Sequence, residues 1–175
     1  MNYFEFFGLP VSFRIDEAQL RHLYYQNSRK YHPDFYTLAS PEDQEETLRL
    51  ATLNNEAFQT LSHPELRMRH VLEIKGLLNE EGQQRVPEAF LSEVMDINEI
   101  LLELELEFDG KRLEQATQAV AQLERALDEA IAPVLDRYTE DSPTSREDLL
   151  QVRDYFLKKR YLFRIREKLA TFAPR

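Results

Sequence analysis

Three adjacent residues in the run RKYHPDFY, His32, Pro33 and Asp34, put an imidazole, a proline ring and a carboxylate side by side along the chain. An imidazole and a carboxylate could transfer protons, with the carboxylate orienting the imidazole. It could also be a plain helix stop, or a surface that another protein reads. Proline disfavours the α conformation in the residue before it. A helix over residues 16–31 is therefore predicted to end at His32, leaving the triplet on an exposed loop that reaches Ser40. The catalytic reading finds little company: the chain has no cysteine and no serine in a G-x-S-x-G elbow. The intervening proline is also expected to point the two side chains in different directions. Metal binding fares no better, because His22, His32, His63 and His70 match no H-E-x-x-H or comparable ligand spacing. A near copy, His63-Pro64-Glu65, is accounted for as a helix start, with Ser62 as N-cap and Glu65 completing a capping box.

The elements that must position the triplet are helices. Asp16 and Ser40-Pro41 are N-terminal signals, and helices are predicted near 2–8, 16–31, 41–61 and 63–75. No segment shows the two-residue alternation of a strand. The stretch KGLLNEEGQQRVP holds two of the four glycines and reads as a linker. Three longer helices follow, near 87–108, 111–137 and 144–171, with Pro133 expected to kink the end of the middle one or stop it early. The expected class is all-α: four short helices over 1–75, a linker over 76–86 and a three-helix bundle over 87–175.

Composition limits the partners. The net charge of −10 argues against broad binding to nucleic acid or anionic membranes, whose affinity is dominated by phosphate attraction. Residues 1–76 sum to about −3 and residues 77–175 to about −7. Against that background residues 18–31 hold three cations, Arg21, Arg29 and Lys30, and no acid. Without cysteine there is no disulfide, no zinc–thiolate site and no iron–sulfur cluster held by this chain. No cofactor is expected. The start, MNYFEFFGLP, has neither a basic segment nor a long apolar run, so no signal peptide or membrane span is expected, and a cytoplasmic monomer is.

In the second half, Phe90, Val94, Ile97, Leu101, Leu104 and Phe108 fall on one helical stripe, the expected core seam of the bundle. A second stripe holds Leu91, Met95, Leu102 and Leu106, beside a row of acids, Asp96, Glu99 and Glu103. Leu102 and Leu106 are expected to pack inside the bundle. Leu91 and Met95 are expected to form an exposed patch suited to a partner with apolar and basic residues.

Residues 1–75 resemble a J domain, the module through which DnaJ-type co-chaperones act on seventy-kilodalton heat-shock chaperones. NYFEFFGLP resembles its first helix, with Tyr3 and Phe6 as core residues, and LRHLYYQNSRKYHPD its second helix and signature loop. LNNEAFQTLSHPELRMRHVL resembles the third helix and its extension. The resemblance implies that His32, Pro33 and Asp34 are the chaperone contact, with Arg21, Arg29 and Lys30 as its basic patch. Asn27 and Ser28 stand where many J domains carry small or apolar residues, and Phe35 where a lysine often follows the triplet. With the acidic three-helix tail, nearly the whole chain is similar to the HscB family of co-chaperones for iron–sulfur cluster assembly. That resemblance implies no enzyme activity and two partners, an IscU-type scaffold and an HscA-type chaperone whose ATPase is stimulated. It implies a scaffold contact at Leu91, Met95, Asp96, Glu99 and Glu103, with Phe156 as an aromatic on the last helix. Ser92 stands where some relatives carry a methionine. A J protein serving another client, with the acidic bundle as adaptor, is the alternative.

Overall fold

The computed structural model describes residues 1–78 and 85–172, and every regular element among them is helical. These are α1 (Tyr3–Phe7), α2 (Glu17–Lys30), α3 (Pro41–Ser62), α4 (Pro64–Ile74), α5 (Glu88–Glu93), α6 (Met95–Leu106), α7 (Gly110–Arg137) and α8 (Ser145–Ala170), with a 3₁₀ turn at Pro33–Tyr36. The chain is all-α, as its sequence implies. It divides into two units: Met1–Gly76 together with Tyr138–Ser142, and Leu77–Arg137 together with Pro143–Arg175. Of the linker expected at 76–86, residues 79–84 lie outside the described residues.

In the first unit, side chains satisfy amides that open α1, α2 and α3. Asp16 Oδ1 accepts from the Ala18 and Gln19 amides at 3.0 and 3.1 Å, and Ser40 Oγ from the Asp43 amide at 3.2 Å. α1 carries a capping box that the sequence reading lacked: the Glu5 amide donates to Asn2 Oδ1 at 2.9 Å, and the Asn2 amide to Glu5 Oε2 at 3.1 Å. Gly8, in the left-handed region at φ 67°, closes that single turn. The i, i+3 spacing turns Phe4 and Phe7 into the core. Tyr3 and Phe6, the expected core pair, are instead half-buried. Tyr3 stacks on His70, ring centroids 4.5 Å apart, and its amide donates to His70 Nε2 at 3.2 Å.

The junction of α3 and α4 departs from the expected cap. α3 runs through Ser62, and His63 occupies the N-cap position without a side-chain cap bond. Its Nδ1–H donates back to the Gln59 carbonyl at 2.7 Å, satisfying one of the carbonyls that a helix end leaves orphaned. Next to it, Arg67 is a buried cation that ties loop to helix. Its Nε donates to the Phe13 carbonyl at 2.9 Å and its Nη1 to the Leu61 carbonyl at 2.6 Å. Burial, with Arg14 nearby, lowers its pKa. Tyr138 completes this core: it is buried and its ring lies 5.0 Å from that of Phe13, while Glu140 pairs with Lys75.

The second unit packs Phe90, Val94, Ile97, Ile100, Leu101 and Leu104 against Ala116 and Val120 of α7 and Leu162, Ile165 and Leu169 of α8. The single helix expected over 87–108 is interrupted at Val94, which is fully buried with ψ near 1°. No proline or glycine marks that break. Phe108 leaves the core seam and is exposed, because α6 stops at Leu106 and Glu107 is extended. Pro133 does not stop α7, which continues to Arg137. The carbonyl that Pro133 leaves unbonded belongs to solvent-facing Glu129, and buried Ile131 and Val134 hold the last turns. At the start of α8 the buried Asp148 carboxylate accepts from Arg137 Nη2 at 2.8 Å and from the Thr144 hydroxyl at 3.2 Å.

Two stability predictions follow from the first unit. Arg67→Met fills the same space without donors and strands two buried carbonyls. It should cost about 2–4 kcal/mol in urea unfolding followed by circular dichroism. Burial lowers the His70 pKa, against a weaker upward pull from Glu73. A depressed folded-state value means full stability above the ordinary imidazole value of about 6.5 and progressive loss as pH falls below it. The melting temperature should therefore drop between about pH 7.5 and 5.5, and His70→Gln should flatten that slope.

Candidate functional site

The triplet stands where α2 ends, and α2 is held by a polar and aromatic seam. Tyr24 stacks on Phe58 with ring centroids 4.2 Å apart, and its hydroxyl donates to Asn55 Oδ1 at 2.9 Å. The buried Asn54 amide donates to the Tyr24 carbonyl at 3.1 Å and to Ser28 Oγ at 3.2 Å. Ser28 in turn donates to the Tyr24 carbonyl at 2.8 Å. A hydrogen-bonded bracket between α2 and α3 thus does what an apolar residue at position 28 could have done by packing.

His32 has φ −69° and ψ 127°, the extended conformation that a following proline favours. The nine-residue loop expected after it contains the 3₁₀ turn, and this overturns one expectation. The turn folds Asp34 back so that its amide donates to His32 Nδ1 at 3.3 Å, with Asp34 Oδ2 3.6 Å from the same nitrogen. The side chains converge rather than diverge. Since Nδ1 accepts, the ring proton sits on Nε2, on the opposite edge of the ring. His63, with Nδ1 donating into its own helix, is the other tautomer. Both members of the pair face solvent, the His32 side chain 53% exposed and that of Asp34 85%. The Tyr36 hydroxyl donates to the Lys30 carbonyl at 2.8 Å and ties the turn to the end of α2. Arg21, Arg29 and Lys30 are exposed, and among the described residues no ion pair reaches them. Phe35, edge-on to His32 at 6.1 Å, is exposed beside them.

The second candidate surface is on α5 and α6. Leu91 and Met95 are exposed, as expected, and so are Asp96, Glu99 and Glu103. Leu102 and Leu106 are not packed in the bundle: they are 64% and 89% exposed. Taking about 100° per residue, Met95, Leu102 and Leu106 lie within about 40° of arc on α6, with the acids on one side. On the other side stands Asn98, whose amide donates to the Tyr161 hydroxyl at 2.9 Å. Tyr161 also meets Phe90 edge-on at 5.7 Å, and Lys158 lies over the same Phe90 ring. The α8 aromatic set against α5 and α6 is therefore Tyr161. Phe156 is half-buried under the Arg160 guanidinium, about 140° around the helix from Tyr161. The core spacing of Leu162, Ile165 and Leu169 was the signal that could have picked Tyr161 out. Among the described residues no three His, Asp or Glu side chains gather into a group that could hold a metal ion.

The iron–sulfur cluster co-chaperone protein HscB of Homo sapiens is 30% identical to this chain over 171 residues, spanning 96% of this chain and 67% of the human protein. The chain belongs to the HscB family. A family model described as the HSCB C-terminal oligomerisation domain matches residues 86–170, the stretch from just before α5 through α8. Two solved HscB structures share the fold. The crystal structure of human co-chaperone protein HscB has a TM-score of 0.67 and 26% identity, covering 98% of this chain and 81% of that one. Chaperone HscB from Vibrio cholerae has a TM-score of 0.67 and 26% identity, covering 97% of this chain and 96% of that one. No helix among the described residues is long and apolar enough to cross a membrane.

Proposed function

We propose that this HscB-family chain is a cytoplasmic co-chaperone, not an enzyme, that binds an IscU-type scaffold and presents it to an HscA-type chaperone whose ATPase it stimulates. His32, Pro33 and Asp34 form the chaperone-contacting tip, and Arg21, Arg29 and Lys30 steer an acidic surface of the chaperone toward it. Leu91, Met95, Asp96, Glu99 and Glu103 receive the scaffold, with Phe156 as the aromatic on the last helix. The observation that carries the reading is the tip itself: an exposed imidazole, ring and carboxylate at a forced helix end, beside cations that no acid among the described residues engages. Exposed cations cost little to leave in water and speed encounter with a complementary surface. Asp34 can accept a bidentate arginine from the chaperone. Stimulation requires the tip to contact one chaperone state better than another, since equal affinity for both shifts nothing.

Asp34→Asn keeps the shape of the tip and the backbone bond to His32 but removes the charge. It should reduce steady-state stimulation of the chaperone ATPase to near the unstimulated rate while leaving scaffold affinity unchanged. Undiminished stimulation would rule out the tip as the contact. Leu91→Ala combined with Met95→Ala should weaken scaffold binding about tenfold or more in titration calorimetry, with scaffold-free ATPase stimulation preserved.

A further inference from the structure

Neither the bundle core nor the client face assigned above makes use of Leu102 and Leu106. The core is complete without them, since Ile97, Ile100, Leu101 and Leu104 are buried on the same helix. Yet the two leucines continue the line of Met95 along α6, Leu102 mostly and Leu106 almost fully in water. Past Leu106 the line runs into an open concavity of about 640 Å³ at the α6–α7 corner. Its walls include Leu106, Phe108 and the ion pair of Glu103 with Arg112 at 3.2 Å, and Glu107 and Asp109 also line it. A line of exposed apolar side chains, broken for one turn by Asn98 and Glu99, is a liability unless something covers it.

We propose that the client surface runs the whole length of α6, and that its occupant is an elongated apolar segment of the scaffold protein flanked by basic residues, with its last apolar side chain in the corner concavity. This rests on reading α5 and α6 as the client face. Charge decides the occupant. Asp96, Glu99 and Glu103 edge the ridge, Glu107 stands at its end, and residues 86–110 contain no lysine or arginine. A second copy lying antiparallel, ridge to ridge, would set two acidic rows against each other, whereas a basic partner is attracted along the row up to Glu103, which Arg112 already engages. From Met95 to Leu106 the ridge rises about 16 Å, enough for about three helical turns of an occupant or about five extended residues.

The test is titration calorimetry with the IscU-type scaffold on the full chain carrying Leu102→Ser and Leu106→Ser, beside the Leu91→Ala, Met95→Ala variant. The serine pair should weaken binding about tenfold or more. Helicity, melting temperature and scaffold-free ATPase stimulation should not change, because both side chains are exposed and lie in the unit that lacks the tip. If the alanine pair weakens binding and the serine pair does not, the surface ends at Met95 and the extension is wrong while the client face stands. If neither variant weakens binding, the client face itself is misplaced, and the extension fails with it. If the serine pair spares affinity but turns a dimer into a monomer in sedimentation, the ridge covers a second copy, which also overturns the proposal.

Discussion

The stop that Pro33 imposes on α2 is the constraint from which the tip's geometry follows. With His32 held extended, the chain cannot continue the helix, and the last turn of α2 presents Arg29 and Lys30 at its negative end, where cations are favoured. The 3₁₀ turn that comes next uses the Asp34 amide to fix the imidazole and the Tyr36 hydroxyl to bind the turn back to α2. None of this would hold still if α2 could roll on α3. The Tyr24–Phe58 stack and the Asn54–Ser28 bracket prevent that, so a buried asparagine positions a surface triplet it does not touch.

The two surfaces carry opposite charge. The tip's cations sit in a segment without acids, and the α6 ridge sits in a stretch without cations. In the proposed function this difference does the sorting. An acidic chaperone surface is repelled by the ridge, and a basic client segment is repelled by the tip, so each partner is kept off the wrong face. A net charge of −10 therefore conceals two local fields of opposite sign.

The helices and the exposed triplet were legible because their causes are local: caps at Asp16 and Ser40, and a proline after His32. What the sequence left unread depends on longer range or on subtler geometry. The convergence of His32 and Asp34 arises from a side chain capping a 3₁₀ turn, which residue order alone does not announce. Phe4 and Phe7 face inward because α1 is a single turn with one rotational choice, and four closely spaced aromatics offer no period to select it. The exposure of Leu102 and Leu106 could not be read because the repeat LLELELEF offers more leucines than one core seam accepts, and only the packing decides which are left over. Tyr138 shares a core with Phe13, a pairing 125 positions apart along the chain for which no local signal exists.

The central claim is that one chain carries the chaperone contact and the client together, so that the client arrives at high effective concentration. Complementation in trans tests it most directly. Chaperone ATPase is measured with the scaffold and an equimolar mixture of two variants, one with Asp34→Asn and the other with Leu91→Ala and Met95→Ala. Each variant retains the function the other lacks, so the mixture should fall well short of the synergy that the unaltered chain shows with the scaffold. A mixture as active as the unaltered chain would contradict the claim, because it would mean that tip and client face need not share a molecule.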